Sequence, residues 1–521
     1  MVKKMKLKMA DLIPYNKAKS QLSTIEKIGQ FFMPAVFIND TEEEIQKMER
    51  LIAEKGIGSI CFFHSRASAA TNYEGKKEVL YNANSLDKLK ELISRYQAVS
   101  KYPLLIAIDA EWGLAMRIEE TPQYPYALTL GAIQDKALIE KVGMAIGDDC
   151  QEAGIHWNLC PTVDINNNPN NPVIGYRSFG DNPEDVYEKS RAFISGMNKS
   201  GTLNSIKHFP GHGDTAVDSH LGLPRIDKSK QELLAYELYP FKNLIDEGVD
   251  SVMVGHLAVP SISKSNTRSS TLSKPIITDL LRNEFKHSGV IITDALNMHS
   301  VSKLYDTKGQ LEWEAFEAGN DVLCFAEHTA EGIELILQNA TATQVEASFE
   351  RFWTLKEKGL GTKTNSHSVD YDTIMKQLAK ETLTLVKGTD EGIQTIRESE
   401  FEYIQMGKTI DTLFSKNIPT NHTQTANKVI ALFPPEMKPT QNFGLKKNEI
   451  ERVNEVLSSH NCALYLFGNP YALDLFHWKD ASSVVVAYQD FEAFQENAIN
   501  HFNGQVTAKG QLPVTLNSAT P

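Results

Sequence analysis

The chain has 521 residues, which is too long for one hydrophobic core, so two or more domains are expected. With 41% hydrophobic and 23% charged residues, its composition is that of an ordinary soluble globular protein. The formal net charge of −13 argues against a nucleic-acid partner, because no basic face is evident to offset repulsion from phosphates.

Eight short apolar runs alternate with amphipathic segments between about residues 28 and 325. These runs are predicted strands, at 31–38, 59–63, 104–109, 156–164, 204–208, 251–256, 289–294 and 321–325. Intervening segments such as 41–55 and 86–100 place apolar residues at helical spacing. Eight strand–helix units predict an α/β protein built as a closed (β/α)8 barrel of parallel strands. A doubly wound open sheet is the competing architecture.

The remainder of the chain is predicted to form a second, smaller domain. A polar stretch at 358–372 is typical of a linker, and strand-like runs spaced by helical patterns follow it. We therefore expect an N-terminal extension at 1–24, a barrel domain at 25–357, the linker, and a C-terminal α/β sandwich domain at 373–521. The C-terminal part has no charged cluster comparable to that of the barrel, so a structural role is expected for it.

Cysteine usage and the N-terminus indicate the compartment. The five cysteines are widely spaced and lie mostly in apolar runs: Cys61, Cys150, Cys160, Cys324 and Cys462. Such a pattern is typical of buried thiols in a reducing compartment. The basic N-terminus has no continuous apolar segment, and the run at 31–38 is short and contains Pro34. Neither is predicted to be a signal peptide or a membrane span, so a cytoplasmic location is expected.

Polar residues end five of the predicted barrel strands, namely Asp109, Asp164, His208, His256 and Asp294. In a barrel the carboxyl ends of the strands meet on one face, where active sites of this fold are built. A single aspartate at such a position can equally be a helix cap. Five in corresponding positions favour a functional site.

The segment 207–220, KHFPGHGDTAVDSH, concentrates titratable side chains in a loop. Its proline and glycines exclude a continuous helix or strand. The histidines and aspartates could hold a metal, although no cysteine lies nearby and metal-binding barrels usually draw ligands from several strands. They could also form a purely structural turn. A third interpretation pairs Asp218 with His220, so that the carboxylate orients an imidazole for proton transfer.

Two strand-end aspartates are candidates for the chemistry itself. Asp294 ends a strand predicted to be buried, which makes it a candidate nucleophile at the barrel mouth or, alternatively, a helix cap. Asp109 is followed by Trp112 and Arg117, and a carboxylate, an arginine and an aromatic ring are the usual means of holding a sugar. Alternatively, Asp109 and Arg117 simply pair with each other.

Several motifs together resemble glycoside hydrolase family 3, in its branch of β-N-acetylglucosaminidases with a KHFPGHG-type signature. They are KHFPGHGDTAVDSH, IAIDAEWGLAMR, NNPVIGYRSFG, VMVGH and GVIITDALNM, and the resemblance covers residues 25 to about 360. The resemblance implies that Asp294 is a nucleophile that forms a covalent glycosyl-enzyme intermediate. It also implies that His220 is the general acid/base and Asp218 its partner.

The resemblance further implies a set of residues that hold the hydroxyls and orient the sugar in subsite −1: Asp109, Arg117, Arg177, Lys207 and His208. His256 lies in a motif near the site. A retaining glycosidase needs a nucleophile and a proton donor, and neither a metal nor an organic cofactor is required.

The sequence thus predicts a retaining exo-β-N-acetylglucosaminidase that removes terminal GlcNAc from peptidoglycan fragments or chitooligosaccharides. Its expected partner is a small carbohydrate, with neither nucleic acid nor membrane. A phosphorylase of the same fold is an alternative, because a histidine acid/base repels incoming phosphate less than a glutamate would. A non-catalytic glycan-binding protein and a metal hydrolase are the remaining alternatives.

Overall fold

The computed structural model describes residues 12–64, 81–215, 222–361, 369–408, 411–418 and 425–517. The chain divides into two units. The first comprises Met1–Gln123, Gly143–Asp164 and Phe193–Ser368, and the second comprises Tyr124–Val142, Ile165–Ala192 and Val369–Pro521.

The strands of the first unit fall within or overlap the eight predicted apolar runs. They are β1 (Phe32–Met33), β2 (Ala35–Phe37), β3 (Ser59–Phe63), β4 (Leu105–Ile108), β5 (Trp157–Asn158), β6 (Ile206–Phe209), β7 (Ser251–Val254), β8 (Val290–Thr293) and β9 (Leu323–Cys324). The first predicted run contains two strands because Pro34, which has no N–H group to donate, separates β1 from β2.

These strands close into a parallel barrel. Sheet β2–β3–β4–β5, sheet β6–β7–β8 and pair β1–β9 are each hydrogen-bonded in parallel. Single bridges join them, from Trp157 to Leu203 beside β6 and from Ile292 in β8 to Val322 beside β9. Since β1 and β2 belong to one continuous segment, the ring is complete. The predicted (β/α)8 barrel is therefore confirmed over the open sheet.

Alternate residues of each strand face the barrel interior, as the two-residue period of a strand requires. The interior cluster consists of Met33, Cys61, Leu105, Ala107, Trp157, Leu159, Leu203, Met253, Val290, Ile292, Val322 and Cys324, with Phe352 and Leu355. On the opposite face of β3, Phe62 packs against Tyr96 of a surrounding helix, with ring centroids 6.4 Å apart. Strands buried on both faces explain the nearly continuous apolar runs. All five cysteines are buried free thiols, as predicted.

Helices follow the strands in alternation. Up to residue 361 they are Tyr15–Gln21, Thr24–Gly29, Glu42–Lys55, Ser85–Val99, Ala127–Leu130, Lys136–Ala153, Pro183–Ser200, Lys230–Ala235, Tyr239–Glu247, Pro260–Ser263, the π-helix Pro275–Glu284, His299–Ser302, Gln310–Ala318, Thr329–Asn339 and Ala342–Gly361. The helix Glu42–Lys55 shows why such segments begin and end where they do. Thr41 and Glu44 form a capping box, and Gly56 ends the helix at a φ of 66°.

The second unit contains a mixed sheet between helices. Its strands are β10 (Thr384–Lys387), β11 (Phe401–Gly407), β12 (Asn427–Phe433), β13 (Asn461–Leu466) and β14 (Ser483–Val486), in the order β10–β14–β13–β12–β11. Only the β10–β14 pair in this sheet is antiparallel. Beyond residue 368 its helices are Tyr371–Thr382, Asp390–Arg397, Leu413–Asn417, Lys447–Ser459 and Glu492–Phe502.

This sheet is buried on both faces. In β12, Ile430 and Leu432 belong to one core cluster, whereas Val429, Ala431 and Phe433 belong to another. Such alternation places a hydrophobic core on each side of the sheet, which confirms the predicted C-terminal α/β domain. No helix in the described part of the chain combines the length and hydrophobicity needed to cross a bilayer.

Candidate active site at the carboxyl ends of the barrel strands

The predicted site residues of the barrel lie at the carboxyl ends of four strands. Asp109 directly follows β4, Lys207 and His208 lie in β6, His256 lies two residues beyond β7, and Asp294 directly follows β8. Because the strands are parallel, these positions share one end of the barrel.

A network of four alternating charges lies at this end. Lys207 Nζ is 2.6 Å from Asp109 Oδ1 and 2.7 Å from Glu111 Oε1, and the lysine side chain is only 2% exposed. Arg117 Nη2 donates to Asp109 Oδ2 at 2.9 Å. Asp109 and Arg117 do pair with each other, but Lys207 engages the second carboxylate oxygen. Glu111 was not among the residues predicted from the sequence, where its only signal is its position two residues after Asp109.

The Arg117 guanidinium is held by stacking as well as by charge. It lies over the Phe63 ring at 5.0 Å from the ring centroid. Its Nε atom is buried and makes no hydrogen bond within the part of the chain that the structure describes. Leaving a buried N–H unpaired costs about 1–3 kcal/mol.

Asp164 organises the first half of the 207–220 segment. It is fully buried and accepts hydrogen bonds from the backbone N–H groups of His208 (3.2 Å) and His212 (2.7 Å). Its Oδ2 is also 2.7 Å from His208 Nδ1. Burial alone would raise the pKa of Asp164, but the charge and hydrogen bonds of His208 and the contacts with His212 outweigh it and lower the pKa. Since Nδ1 of His208 is engaged, only its Nε2 can contact a substrate.

His212 is part of the fold rather than of the exposed surface. It is buried, and its Nδ1 lies 2.7 Å from Thr215 Oγ1. Burial, reinforced by His208, lowers the pKa of His212 to about 4, so the ring is neutral near pH 7. His208 and His212 therefore each have a structural role, as the interpretation of the segment as a turn predicted, because one ring nitrogen of each binds a neighbouring side chain. Within the described ranges, no three His, Cys, Asp or Glu side chains are grouped as metal ligands.

Asp218 and His220, the predicted acid/base pair, lie outside the described residues. Lys228, which follows this segment, binds Asp214, which precedes it, with 2.7 Å between Lys228 Nζ and Asp214 Oδ2. Lys228 also pairs with Glu237. Gly211 has a φ of 119°, and a Cβ at this position would lie 2.9 Å from Glu237 Cβ. Glycine is therefore required where the segment leaves β6.

Asp294 is half-buried at the end of β8. Its Oδ1 accepts from the N–H of Ala295 at 2.8 Å, and its own N–H donates to Val254 O at 2.9 Å. The next helix begins only at His299 with Met298 as its N-cap, so Asp294 does not cap it. The hydrogen bond from Ala295 therefore orients the Asp294 carboxylate at the end of β8.

His256 supports the segment that carries Asp294. It is fully buried, with Nδ1 2.7 Å from Thr271 Oγ1. Its Nε2 donates to the carbonyl oxygen of Ala295 at 3.0 Å. These contacts hold the turn after β8 in place, and the proposed proximity of His256 to a sugar stays a prediction.

Asp109 and Asp294 act on a common neighbour. The pKa of the Cys324 thiol, at the end of β9, lies well above its usual range, because of a hydrogen bond with Cys61, burial, and the charges of Asp294 and Asp109. Both carboxylates are therefore close enough to influence one thiol inside the barrel. That Asp109 and Asp294 lie at the same end of the barrel follows from the strands, since each directly follows a parallel strand.

Arg177 lies in the second unit, at the end of the 3-10 helix Gly175–Arg177. Its Nη1 donates to Val173 O at 3.3 Å. Its predicted contact with the sugar stays a prediction.

The chain is similar to known proteins over most of its length. A family model described as "Glycosyl hydrolase family 3 N terminal domain" matches residues 23–355. Beta-hexosaminidase A of Pseudoalteromonas piscicida is 35% identical over 291 residues, which are 53% of this chain and 47% of that protein. The aligned region thus spans about half the length of this relative.

Solved structures share the two-part architecture. A glycoside hydrolase family 3 beta-N-acetylglucosaminidase from Paenibacillus sp. superposes with a TM-score of 0.76 at 23% identity, covering 96% of this chain and 100% of that chain. A beta-glucoside phosphorylase bound to 2FGlc superposes with a TM-score of 0.78 at 21% identity, covering 97% and 96%. At these identities the likeness shows the fold alone.

Proposed function

Since the chain belongs to glycoside hydrolase family 3, we propose that it is a retaining exo-β-N-acetylglucosaminidase. Its substrates are peptidoglycan fragments or chitooligosaccharides that end in β-linked GlcNAc. A relative named beta-hexosaminidase supports an N-acetylhexosaminide as the substrate class. Turnover of nitrophenyl glycosides tests this assignment.

The observation that carries the proposal is the Asp109 network, which lies at the same end of the barrel as Asp294. Each oxygen of Asp109 already contacts one cation, Lys207 at 2.6 Å or Arg117 at 2.9 Å. A carboxylate oxygen has two lone pairs, so each can still accept from a sugar hydroxyl. Neighbouring hydroxyls of one sugar can bridge the carboxylate and the cations. Asp109 is 18% exposed, which is enough for such contact.

In the proposed reaction Asp294 attacks the anomeric carbon of the terminal sugar. The glycosidic C–O bond breaks, and the leaving oxygen takes a proton from His220, which Asp218 orients. A covalent glycosyl ester on Asp294 results. His220, now neutral, removes a proton from water, which attacks the same carbon, releases the sugar with retained configuration and regenerates the Asp294 carboxylate.

Nitrophenyl β-glycosides of GlcNAc, glucose and xylose test the substrate class. We expect the highest kcat/KM for the GlcNAc substrate and free β-GlcNAc as the first product detected by NMR. Added phosphate should not change the product. A preference for glucose or xylose, an inverted product or no turnover contradicts the proposal. Release of a sugar 1-phosphate indicates a phosphorylase instead.

A further inference from the structure

Glu111 lies close to the candidate sugar-holding residues but is shielded from solvent. Its side chain is only 6% exposed, compared with 18% for Asp109, and its Oε1 lies 2.7 Å from Lys207 Nζ. Glu111 and Asp109 are two residues apart in the loop after β4, and the lysine ammonium lies between their carboxylates. Gly113 follows at a φ of 95°, which lets the loop turn back at this point.

A lysine in this position depends on its acceptors for its orientation. Its ammonium is a compact charge on a flexible four-carbon stem and has no preferred donor plane, in contrast to arginine. A single carboxylate fixes only its own distance from the lysine ammonium. Two carboxylates on different sides also fix the direction in which the ammonium points. Asp109 is shared with Arg117, and Glu111 gives Lys207 a second carboxylate partner.

The charges of the network also balance. Lys207 and Arg117 are cationic, and Asp109 and Glu111 are anionic. Removing one partner of a buried ion pair leaves an uncompensated charge that rearranges or recruits water. Loss of the Glu111 charge would therefore shift Lys207 and, through it, Asp109, which is the more exposed of the two carboxylates.

We propose that Glu111 is a positioning residue of this site. It holds the Lys207 ammonium so that Asp109 and Lys207 form a fixed pair for one or more sugar hydroxyls, and it does not contact the sugar itself. The inference rests on the proposed function, since it needs a sugar at Asp109.

Substitution of Glu111 by glutamine keeps the side-chain volume and removes the charge. Displacement of binding groups by about 1 Å can cost on the order of 100-fold in rate, so we expect Glu111→Gln to lower kcat/KM on nitrophenyl GlcNAc by roughly 10- to 100-fold. Glu111→Asp, which keeps a carboxylate, should recover part of the loss. Glu152→Gln, an exposed position in helix Lys136–Ala153, is the matched control and should behave like the wild type.

Deoxygenated substrates separate positioning from a general structural role. We would measure kcat/KM of wild type and Glu111→Gln on the 3-, 4- and 6-deoxy analogues of nitrophenyl GlcNAc. If Glu111 acts through a hydroxyl contact, its substitution should cost clearly less on the analogue that lacks that hydroxyl than on the parent sugar. Thermal melts should show both variants folded, and a folded Glu111→Asp keeps the test valid if Glu111→Gln unfolds.

The possible outcomes distinguish this inference from the proposed function. Parent-sugar kcat/KM of folded Glu111→Gln within twofold of the wild type refutes the positioning role. An equal fold-loss on every analogue also refutes it, because Glu111 would then act on the whole fold. A wild-type chain that turns over no GlcNAc substrate refutes the proposed function and this inference together.

Discussion

Replacing Lys356 by methionine should stabilise the first unit below neutral pH. Lys356 is fully buried in helix Ala342–Gly361, and its Nζ donates to Gln30 Oε1 at 2.6 Å. The ammonium lies 5.2 Å from the ring centroid of Trp353 and 5.5 Å from that of Phe352. No acidic side chain among the described residues forms an ion pair with it, so the burial of its charge is uncompensated by a carboxylate.

The magnitude follows from its titration. Burial lowers the pKa of Lys356 from 10.5 to about 7. Between these values the unfolded chain binds the proton and the folded chain does not, so the folded state gains stability as the pH rises from 7 to 10.5. At about 1.4 kcal/mol per unit the full difference is roughly 4–5 kcal/mol. Methionine removes this cost, but it also leaves the buried Oε1 of Gln30 without this donor, at a cost of about 1–3 kcal/mol.

We therefore expect Lys356→Met to exceed the wild type in stability by roughly 2–4 kcal/mol below pH 7. The advantage should shrink with rising pH and reverse by about 1–3 kcal/mol near pH 10.5, where only the unpaired Gln30 oxygen remains. Urea unfolding from pH 6 to 10 measures it by tryptophan fluorescence, because four of the five tryptophans belong to the first unit.

Lys47→Met, at an exposed position in helix Glu42–Lys55, is the control and should show no such pH dependence. A constant difference between Lys356→Met and the wild type across this range would refute the reasoning. Equally, a Lys356→Met variant that is less stable than the wild type at pH 6 would mean that the lysine charge is solvated in the folded protein.

Three further predictions concern the site. Asp109→Ala and Lys207→Ala should each lower kcat/KM on nitrophenyl GlcNAc by roughly 100-fold or more, as expected for groups that stabilise the transition state; near wild-type values for both would exclude the proposed subsite. His220→Ala and Asp218→Ala should lower the rate of cleavage of substrates with poor leaving groups by roughly 10²–10⁴-fold but spare a dinitrophenyl glycoside, and added azide should restore turnover. Equal rate losses on both kinds of substrate, without an azide effect, would contradict the acid/base role. Asp164→Asn should destabilise the protein by roughly 1–3 kcal/mol, because an amide replaces the buried carboxylate that accepts from His208 and His212; an unchanged melting temperature would contradict this.

The barrel was predictable because local pattern and topology agree. Eight apolar runs spaced by helical segments leave few ways to bury both faces of each strand. The break at Pro34 follows from its missing N–H group. The convergence of Asp109 and Asp294 on one face also follows from parallel strands, since both directly follow a strand.

Contacts between distant parts of the chain were not predictable in the same way. Asp164 accepts from His208 and His212, which lie 44 and 48 residues later. Glu111 follows β4 and contacts Lys207 of β6, which lies 96 residues later in the chain. No local periodicity encodes such pairs, because they depend on how two loops approach each other. Sequence spacing therefore identified the titratable residues and the Asp109–Arg117 pair, but not the long-range pairs of Lys207 and Asp164.

The composition of the 207–220 segment illustrates the same limit. It suggested a single functional cluster, yet His212 is buried and neutral near pH 7. Its neighbour His208 gives one ring nitrogen to Asp164. Burial and the availability of a buried partner decide between a structural and a chemical histidine, and neither can be read from spacing alone.

Trapping of the covalent intermediate tests the central claim most directly. Incubation with an activated 5-fluoro derivative of GlcNAc should stop turnover and add one sugar mass, since the fluorine slows hydrolysis of the glycosyl ester more than its formation. Peptide mapping by mass spectrometry should place that mass on Asp294, and Asp294→Ala should remain unlabelled while its thermal melt matches the wild type. A label on Asp109, Glu111 or another carboxylate, or full turnover by Asp294→Ala, would contradict the account.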